Sequence, residues 1–253
     1  MSKKIYKRNF LKDVIFRIDF VNPINVNDFV KDNLSELKKL YPLYSPLKLK
    51  KNNIKVNLDD KKGGTVEREE IEQTNQIFFN SNRTSKMEIS SQTLVINYKV
   101  YNNFDPLYKD IEHVLNLMIK SSNIVVGRTG LRYINIFENN DFSSIEWKKY
   151  IKESMLFCED WGGNNVLQHM SVANLKKEEC LLKIQYGLFN GEMPNDRVKE
   201  SYILDIDASS YQMCDLEVVK SQIKDWNEYI REIFEYSITE QMKEVLNNES
   251  SRL

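Results

Sequence analysis

The chain has 253 residues, of which 41% are hydrophobic and 11% aromatic, and it carries a formal net charge of −1 at pH 7. This composition can fill the core of one large domain or two ordinary ones, and it excludes general disorder. No uncharged apolar run approaches the roughly 18 residues of a membrane-spanning helix. The three cysteines, Cys158, Cys180 and Cys214, lack the spacing of a metal site or a redox pair. We therefore expect a cytoplasmic protein with no membrane association, no metal and no other cofactor.

The first half of the chain predicts an opening strand over residues 13–20, where apolar and polar side chains alternate. Asn27 and Asp28 offer an N-cap for a helix that the prolines near residue 42 end. Further predictions follow along the chain: a short hairpin or edge strand at 47–58, long strands at 66–80 and 86–100, and an amphipathic helix that opens at Asp105-Pro106.

Basic residues are concentrated in this first part, since residues 1–62 hold 15 Lys and Arg against 7 Asp and Glu. One interpretation is a nucleic-acid-binding surface, because phosphate contacts are made mainly by lysine and arginine. The candidate residues are Lys48, Lys50, Lys51, Lys55, Lys61 and Lys62. A solvated surface is a second interpretation, and charge complementarity with the acidic remainder, within or between chains, is a third.

The second half predicts a strand over 124–137, a helix over 144–157, strands near 166–175, 179–189 and 201–208, and a long terminal helix after Asp215. Apolar residues recur in the terminal helix at three- and four-residue intervals, at Leu216, Val219, Ile223, Trp226, Ile230 and Ile233. This stripe packs either on the chain's own sheet or as the seam of a homodimer.

Each half therefore reads as strand, helix, antiparallel strands and helix. We predict an α+β fold of two tandem units, 1–123 and 124–253, which form a curved antiparallel sheet with the helices packed on one face. One continuous domain is the alternative to two. Saddle-like folds and helix-grip folds with a ligand cavity are both compatible with this order of elements.

The stretch Gly127 to Asn135, GRTGLRYIN, places two arginines in an otherwise apolar strand. Alternation puts Arg128, Gly130 and Arg132 on one face of that strand. The YILDIDA stretch similarly puts Asp205 and Asp207 on one face, so that two neighbouring strands would neutralise each other's charges. Anion binding is the alternative, because a guanidinium presents a planar fork of donors. The candidate structural or anion-binding residues are Arg128, Arg132, Tyr133, Asn135, Asp205 and Asp207.

The segment from Arg128 to Asn135 resembles the signature of a sporadically distributed bacterial family of unassigned biochemical function, whose members share a mid-chain Arg-x-Gly-Leu-Arg-Tyr-Ile-Asn segment. The resemblance extends to VIFRIDFVNPI, to the Leu-Asp-Ile-Asp strand at 204–207 and to a terminal helix like IFEYSITEQMKEVL. It implies a bacterial cytoplasmic protein of the kind encoded in phage-defence or toxin–antitoxin loci. It supplies no catalytic residues.

No phosphate-binding loop, dinucleotide fingerprint, zinc-protease motif or nucleophile elbow occurs in the sequence. The leading hypothesis is therefore a non-enzymatic regulator or sensor that recognises another protein, with Trp161 and Trp226 as candidate partner contacts. Nucleic-acid binding through the basic first quarter is the first alternative. A hydrophobic small-ligand cavity of the helix-grip kind is the second.

Overall fold

The computed structural model describes residues 6–57, 65–121, 123–138, 146–156, 160–161, 164–165, 168–191 and 200–248. In this part of the chain the fold is mixed α and β, with four helices and a large antiparallel sheet. None of the helices among these residues is long and apolar enough to cross a membrane.

The described residues of the first half form five strands and two helices: β1 (Leu11–Phe20), α1 (Val26–Leu40), β2 (Leu43–Asn57), β3 (Thr65–Phe79), β4 (Ser85–Ile89), β5 (Thr93–Tyr98) and α2 (Phe104–Ser121). Asn25, not Asn27, caps α1, and its side chain accepts a hydrogen bond from the Asp28 amide. The single strand predicted over 86–100 is two strands. A turn separates them because the Ser90 hydroxyl accepts hydrogen bonds from the Gln92 and Thr93 amides.

In the described part of the second half there are seven strands and two α-helices: β6 (Val125–Glu138), β7 (Asp160–Trp161), β8 (Asn164–Asn165), β9 (His169–Lys177), β10 (Cys180–Asn190), β11 (Glu200–Ser210), β12 (Cys214–Asp215), α3 (Leu216–Ser237) and α4 (Glu240–Asn247). Asp215 caps α3 by accepting a hydrogen bond from the Val218 amide at 2.9 Å. The predicted terminal helix therefore begins where expected but ends at Ser237, and α4 continues after a short break.

The helix predicted over 144–157 is wrong in its described part. Two short 3₁₀ turns, Trp147–Lys149 and Glu153–Met155, stand there with an extended residue, Lys152, between them. The Lys152 amide donates to the Ser237 carbonyl at 2.9 Å, and Ile151 forms a β-bridge with Ile238. These tertiary backbone bonds replace the hydrogen bonds that a continuous helix would have made.

The main sheet has the strand order β2-β3-β4-β5-β1-β6-β11-β10-β9, with β12 paired to β6. β1 lies at its centre and pairs with β5 on one side and β6 on the other. Because β1 and β6 come from different halves of the chain, their pairing joins the strands of 1–123 and 124–253 into one continuous sheet.

One face of the sheet is buried under the helices. Along β1, Val14, Phe16 and Ile18 are completely buried, and they belong to the same hydrophobic cluster as the apolar faces of the helices. We call the opposite side the helix-free face, since no helix of the described residues packs on it. Every second residue of β1, β6, β10 and β11 points to that face.

The apolar stripe of α3 lies on this same sheet, against β6 and β11. Its Leu216, Val219, Ile223 and Ile230 are buried, and Trp226 is only 4% exposed. Trp226 is thus a core residue rather than the partner contact predicted from the sequence, because the stripe is filled within the chain. A homodimer seam on this helix would need the apolar stripe at the surface, but the stripe is packed against the chain's own sheet.

Candidate functional site

The GRTGLRYIN motif lies in β6, and its side chains alternate between the two faces of the sheet. Arg132 stands opposite Ile15 of β1 and opposite Asp207 of β11, on the helix-free face. Tyr133 and Asn135 alternate to the helix-covered side and are buried there. The structure therefore divides the predicted set: the two arginines and the two aspartates share one face, and the tyrosine and asparagine lie on the other.

Arg132 is held by Asp205 as the sequence led us to expect. Its Nε donates to Asp205 Oδ1 at 2.8 Å and its Nη2 to Asp205 Oδ2 at 2.5 Å, so the contact is a bidentate pair. Asp205 is only 6% exposed. The hydrogen bonds to Asp205 raise the pKa of Arg132. This pair neutralises a buried carboxylate and serves the scaffold.

Arg128 is paired much more weakly, which departs from the expectation. Its nearest carboxylate belongs to Asp19 of β1, not to β11, and the Nη1–Oδ2 distance of 3.8 Å is too long for a hydrogen bond. Its Nε is buried and has no hydrogen-bond partner in the described part of the chain. The guanidinium otherwise lies over the ring of Tyr211, 5.6 Å from its centroid, and that tyrosine is 64% exposed.

Asp207 is the second under-paired group on this face. It accepts no hydrogen bond from the residues that the structure describes. Burial raises the pKa of its carboxyl above the ordinary value, and the positive charges of Arg128 and Arg132 only partly oppose that effect. A side chain at Gly130 would stand 3.6 Å from Arg128 Nη2, so the glycine leaves this side of the guanidinium uncovered.

These groups belong to what we call the central charged patch, formed by β1, β6, β10 and β11 on the helix-free face. Its members are Asp13, Arg17, Asp19, Arg128, Arg132, Lys183, Asp205 and Asp207. Four are acidic and four are basic, so the patch has no net charge. Half-buried aliphatic side chains, including Ile15, Ile134 and Ile203, stand between the charges.

A cavity of about 200 Å³ lies on the helix-covered side of the same strand. Its walls include Tyr6, Tyr101, Phe104, Tyr133, Asn135 and Asn227. Arg8 and Leu246 also line it, and the Arg8 amide donates to the Leu246 carbonyl at 3.0 Å, which joins the two ends of the described chain beside the cavity.

Two tyrosines and an asparagine form a hydrogen-bonded chain in this cavity. The Tyr133 hydroxyl donates to Asn227 Oδ1 at 2.8 Å and lies 2.9 Å from the Tyr101 hydroxyl. Burial raises the pKa of Tyr133 well above its ordinary value and that of Tyr101 to about 12. Both hydroxyls therefore stay protonated at neutral pH.

Asn227 and Tyr101 were missed by sequence reasoning. Asn227 is one helical turn from both Ile223 and Ile230, inside the buried face of α3, and it is only 8% exposed. A polar residue on an otherwise apolar helical face signals a buried polar contact, and that signal was present in the sequence. Tyr101 carries no comparable signal, because it lies in the connection between β5 and α2.

The predicted basic surface is spread over the hairpin formed by β2 and β3. The register places Lys50 opposite Glu72 and Lys55 opposite Glu67, while Lys51 stands opposite Ile71. Lys48 is exposed. Lys61 and Lys62 lie outside the described residues. Two of the four β2 lysines therefore stand opposite glutamates, whereas Lys48 and Lys51 stand opposite the uncharged residues Thr74 and Ile71.

Trp161 lies in β7, where its backbone pairs with Asn164 of β8. The surroundings of its side chain are outside what the structure describes. Among the described residues, no group of three or more His, Cys, Asp or Glu side chains is placed to hold a metal ion.

No protein-family model matches the chain, and no curated protein does.

Proposed function

We propose that this is a non-enzymatic binding protein that recognises another protein through the central charged patch. The observation that carries the proposal is the unequal pairing of its charges. Arg132 and Asp205 satisfy each other, whereas Arg128 and Asp207 are half-buried and lack hydrogen bonds from the described residues. Buried polar groups are nearly always hydrogen-bonded, so the unpaired Arg128 Nε, on the same face as a carboxylate that accepts no hydrogen bond from the described residues, favours completion by a partner.

The balance of charge favours a protein as that partner over a nucleic acid. A phosphate backbone requires an excess of positive charge, and the patch has equal numbers of acidic and basic residues. A protein surface can present an acceptor to Arg128 and a donor to Asp207 at the same time. Aliphatic residues between the charges, and the exposed ring of Tyr211, are the mixture that protein interfaces use.

A rigid scaffold around the patch supports this role. We infer that the sheet is two tandem units, because β1 and β6 each open a half, β1 pairs with β5 and β6 with β11, and each half closes with helical structure. The units differ after their first strand, where α1 follows β1 but, among the described residues, two 3₁₀ turns follow β6. A patch at the junction of two such units is held by strands on both sides. Regulation of a bacterial defence or toxin–antitoxin system is the role that the family resemblance adds to the proposal.

The experiment compares co-purification by wild-type protein, Arg128→Ala and Lys183→Glu from a lysate of the source organism, with quantitative mass spectrometry. Arg128→Ala should keep the fold, because its side chain makes no short hydrogen bond. We expect one protein to be enriched by the wild type and reduced at least about tenfold by each variant, since loss of a hydrogen bond to a charged group costs about 1.5–3 kcal/mol.

Lys39→Glu is the matched control, because Lys39 lies on α1 and makes only an exposed bridge to Glu36. It should retain the same partner as the wild type. Equal enrichment by Arg128→Ala and the wild type, with unchanged melting temperatures, would refute recognition at the patch.

Nucleic-acid binding by the β2–β3 hairpin remains the second candidate, because Lys48 is exposed and the neighbouring lysines recur along β2. A variant in which glutamine replaces Lys48, Lys50, Lys51 and Lys55 tests whether these lysines bind nucleic acid. If the hairpin binds DNA or RNA, wild-type affinity falls steeply with added salt and the variant shows a smaller salt dependence. Absence of any gel retardation at low salt eliminates this candidate.

A further inference from the structure

The cavity beside β6 suggests a ligand site, which is independent of the protein-recognition role proposed above. We propose that it binds a small, neutral, planar heteroaromatic molecule with an amide-like edge, of the size of a nucleobase. The chemistry of its walls, the orientation of its two asparagines and its volume each restrict the ligand.

The walls favour a flat aromatic ring. Tyr6, Tyr101, Phe104 and Tyr133 line the cavity, and the rings of Tyr101 and Tyr133 meet edge to face with centroids 5.4 Å apart. Aromatic side chains stabilise a planar ligand by stacking and edge contacts. Since they offer few hydrogen bonds, specificity must come from the polar groups among them.

Two carboxamides supply those polar groups. Asn227 uses its Oδ1 to accept from the Tyr133 hydroxyl, and Asn135 uses its Nδ2 to donate to the Leu204 carbonyl at 3.2 Å. These bonds fix the orientation of both amides. Neither the Asn227 Nδ2 donor nor the Asn135 Oδ1 acceptor has a hydrogen-bond partner among the described residues, and both asparagines line the cavity.

A free donor and a free acceptor in one cavity match a ligand edge that carries an acceptor and a donor. The amide edges of nucleobases and of nicotinamide have this arrangement. A neutral ring suits the inner part of the cavity, where the polar side chains of Tyr101, Tyr133, Asn135 and Asn227 carry no charge. The charged residues Arg8, Asp105, Glu228 and Arg231 also line the cavity, and they include both signs.

The volume sets the size of the ligand. A cavity of about 150 Å³ is sufficient for benzene, so about 200 Å³ suits one ring or two small fused rings. A complete dinucleotide or a long acyl chain is too large. The site therefore narrows the small-ligand alternative from a general hydrophobic molecule to a polar-edged heterocycle.

The test measures binding of adenine, hypoxanthine, uracil and nicotinamide by calorimetry and by shifts in melting temperature. Indole, benzoate and tetramethylammonium serve as comparison probes that lack the amide edge or carry a charge. We expect at least one of the four heterocycles to bind and the comparison probes to bind at least about tenfold more weakly, a difference of about 1.4 kcal/mol.

Asn227→Asp is the first variant, because it keeps an acceptor for Tyr133 while it removes the free donor and adds a negative charge, and Asn135→Leu tests the site without adding charge. We expect affinity for the binding heterocycle to fall at least about tenfold. Asn116→Asp makes the same change on an exposed position of α2 and should bind as the wild type does. If Asn227→Asp melts well below the wild type, Asn135→Leu, which removes the free acceptor instead, provides the measurement.

Three results would overturn the proposal. They are failure of all four heterocycles to bind the wild type, equal or tighter binding of a comparison probe, and unchanged affinity in folded Asn227→Asp or Asn135→Leu. None of these results bears on recognition at the central charged patch, because Arg128 and Lys183 lie on the opposite face of the sheet.

Discussion

Arg128 and Arg132 are the same residue type, four positions apart on one strand, but their surroundings differ. Arg132 makes two short hydrogen bonds to a nearly buried carboxylate, whereas Arg128 makes none from its Nε and only a distant ion pair. Periodicity predicted that both would share a face with Asp205 and Asp207. It could not predict which acid each would approach, because that depends on side-chain conformation and on the tertiary neighbour Asp19.

Arg132→Ala should lower the free energy of unfolding by about 1–3 kcal/mol, because it leaves the Asp205 carboxylate buried without its bidentate partner. Urea denaturation measures this loss. Arg17→Ala is the matched control, since Arg17 is exposed and bonds only to Asp19 on its own strand. It should change stability by less than about 0.5 kcal/mol. Equal losses in the two variants would show that Asp205 does not depend on Arg132.

Asp207→Asn should stabilise the protein at pH 7. Burial raises the folded-state pKa of this carboxyl above its unfolded value near 4, so the folded state binds more protons between those two values. Stability is therefore lost as pH rises through that window, and the asparagine avoids the loss. Denaturation at pH 7 and pH 4 tests the sign, because the gain should shrink at pH 4. A larger gain at pH 4 would contradict it.

At the scale of elements, amphipathic patterns predicted most helices and strands correctly, and the helix over 144–157 was the main exception. The apolar stripes of α1, α2 and α3 and the alternation of β1 and β6 led to elements at the predicted positions, since burial of one face dominates their energetics. The helix over 144–157 failed because Lys152 bonds to the backbone of Ser237, the last residue of α3, and Ile151 pairs with Ile238 just after it. Such long-range backbone bonds leave no periodic signal in the local sequence.

Capping at the start of α3 gives a prediction for a single element. Asp215→Ala removes the acceptor of the Val218 amide and should lower the free energy of unfolding by about 1 kcal/mol. Asp215→Asn retains a capping oxygen and should cost much less. Thermal and urea unfolding of the two variants separates the contribution of the capping hydrogen bond from that of the negative charge. A loss of similar size in both variants would indicate that the charge near the helix N-terminus matters more than the hydrogen bond.

At the scale of the whole molecule, the order of the strands was the part that sequence could not supply. β1 pairs with β6, more than a hundred residues along the chain, and β11 then follows β6. Alternation identifies strands and their buried faces, but many strand orders bury the same faces. The cavity was beyond prediction for the same reason, because it needs β6, α3 and the segment before β1 in one place.

The seam between β1 and β6 predicts that the two halves fold as one unit. Separate fragments 1–123 and 124–253 would each expose a long central strand and part of one shared core. We expect the full chain to unfold in a single urea transition, and each fragment alone to lack a cooperative transition by circular dichroism. Mixing the fragments should restore the native spectrum. Two transitions in the full chain, or a fragment that folds alone, would instead support two domains.

The hydrogen bond between the Arg8 amide and the Leu246 carbonyl indicates that the protein can be circularly permuted. Because the ends of the described chain lie side by side, a short peptide can join them without crossing the sheet. New termini can then be opened at the tight turn Glu178–Glu179, between β9 and β10. Such a circular permutant should retain the fold, and its linker would connect the two segments that contribute Arg8 and Leu246 to the cavity wall.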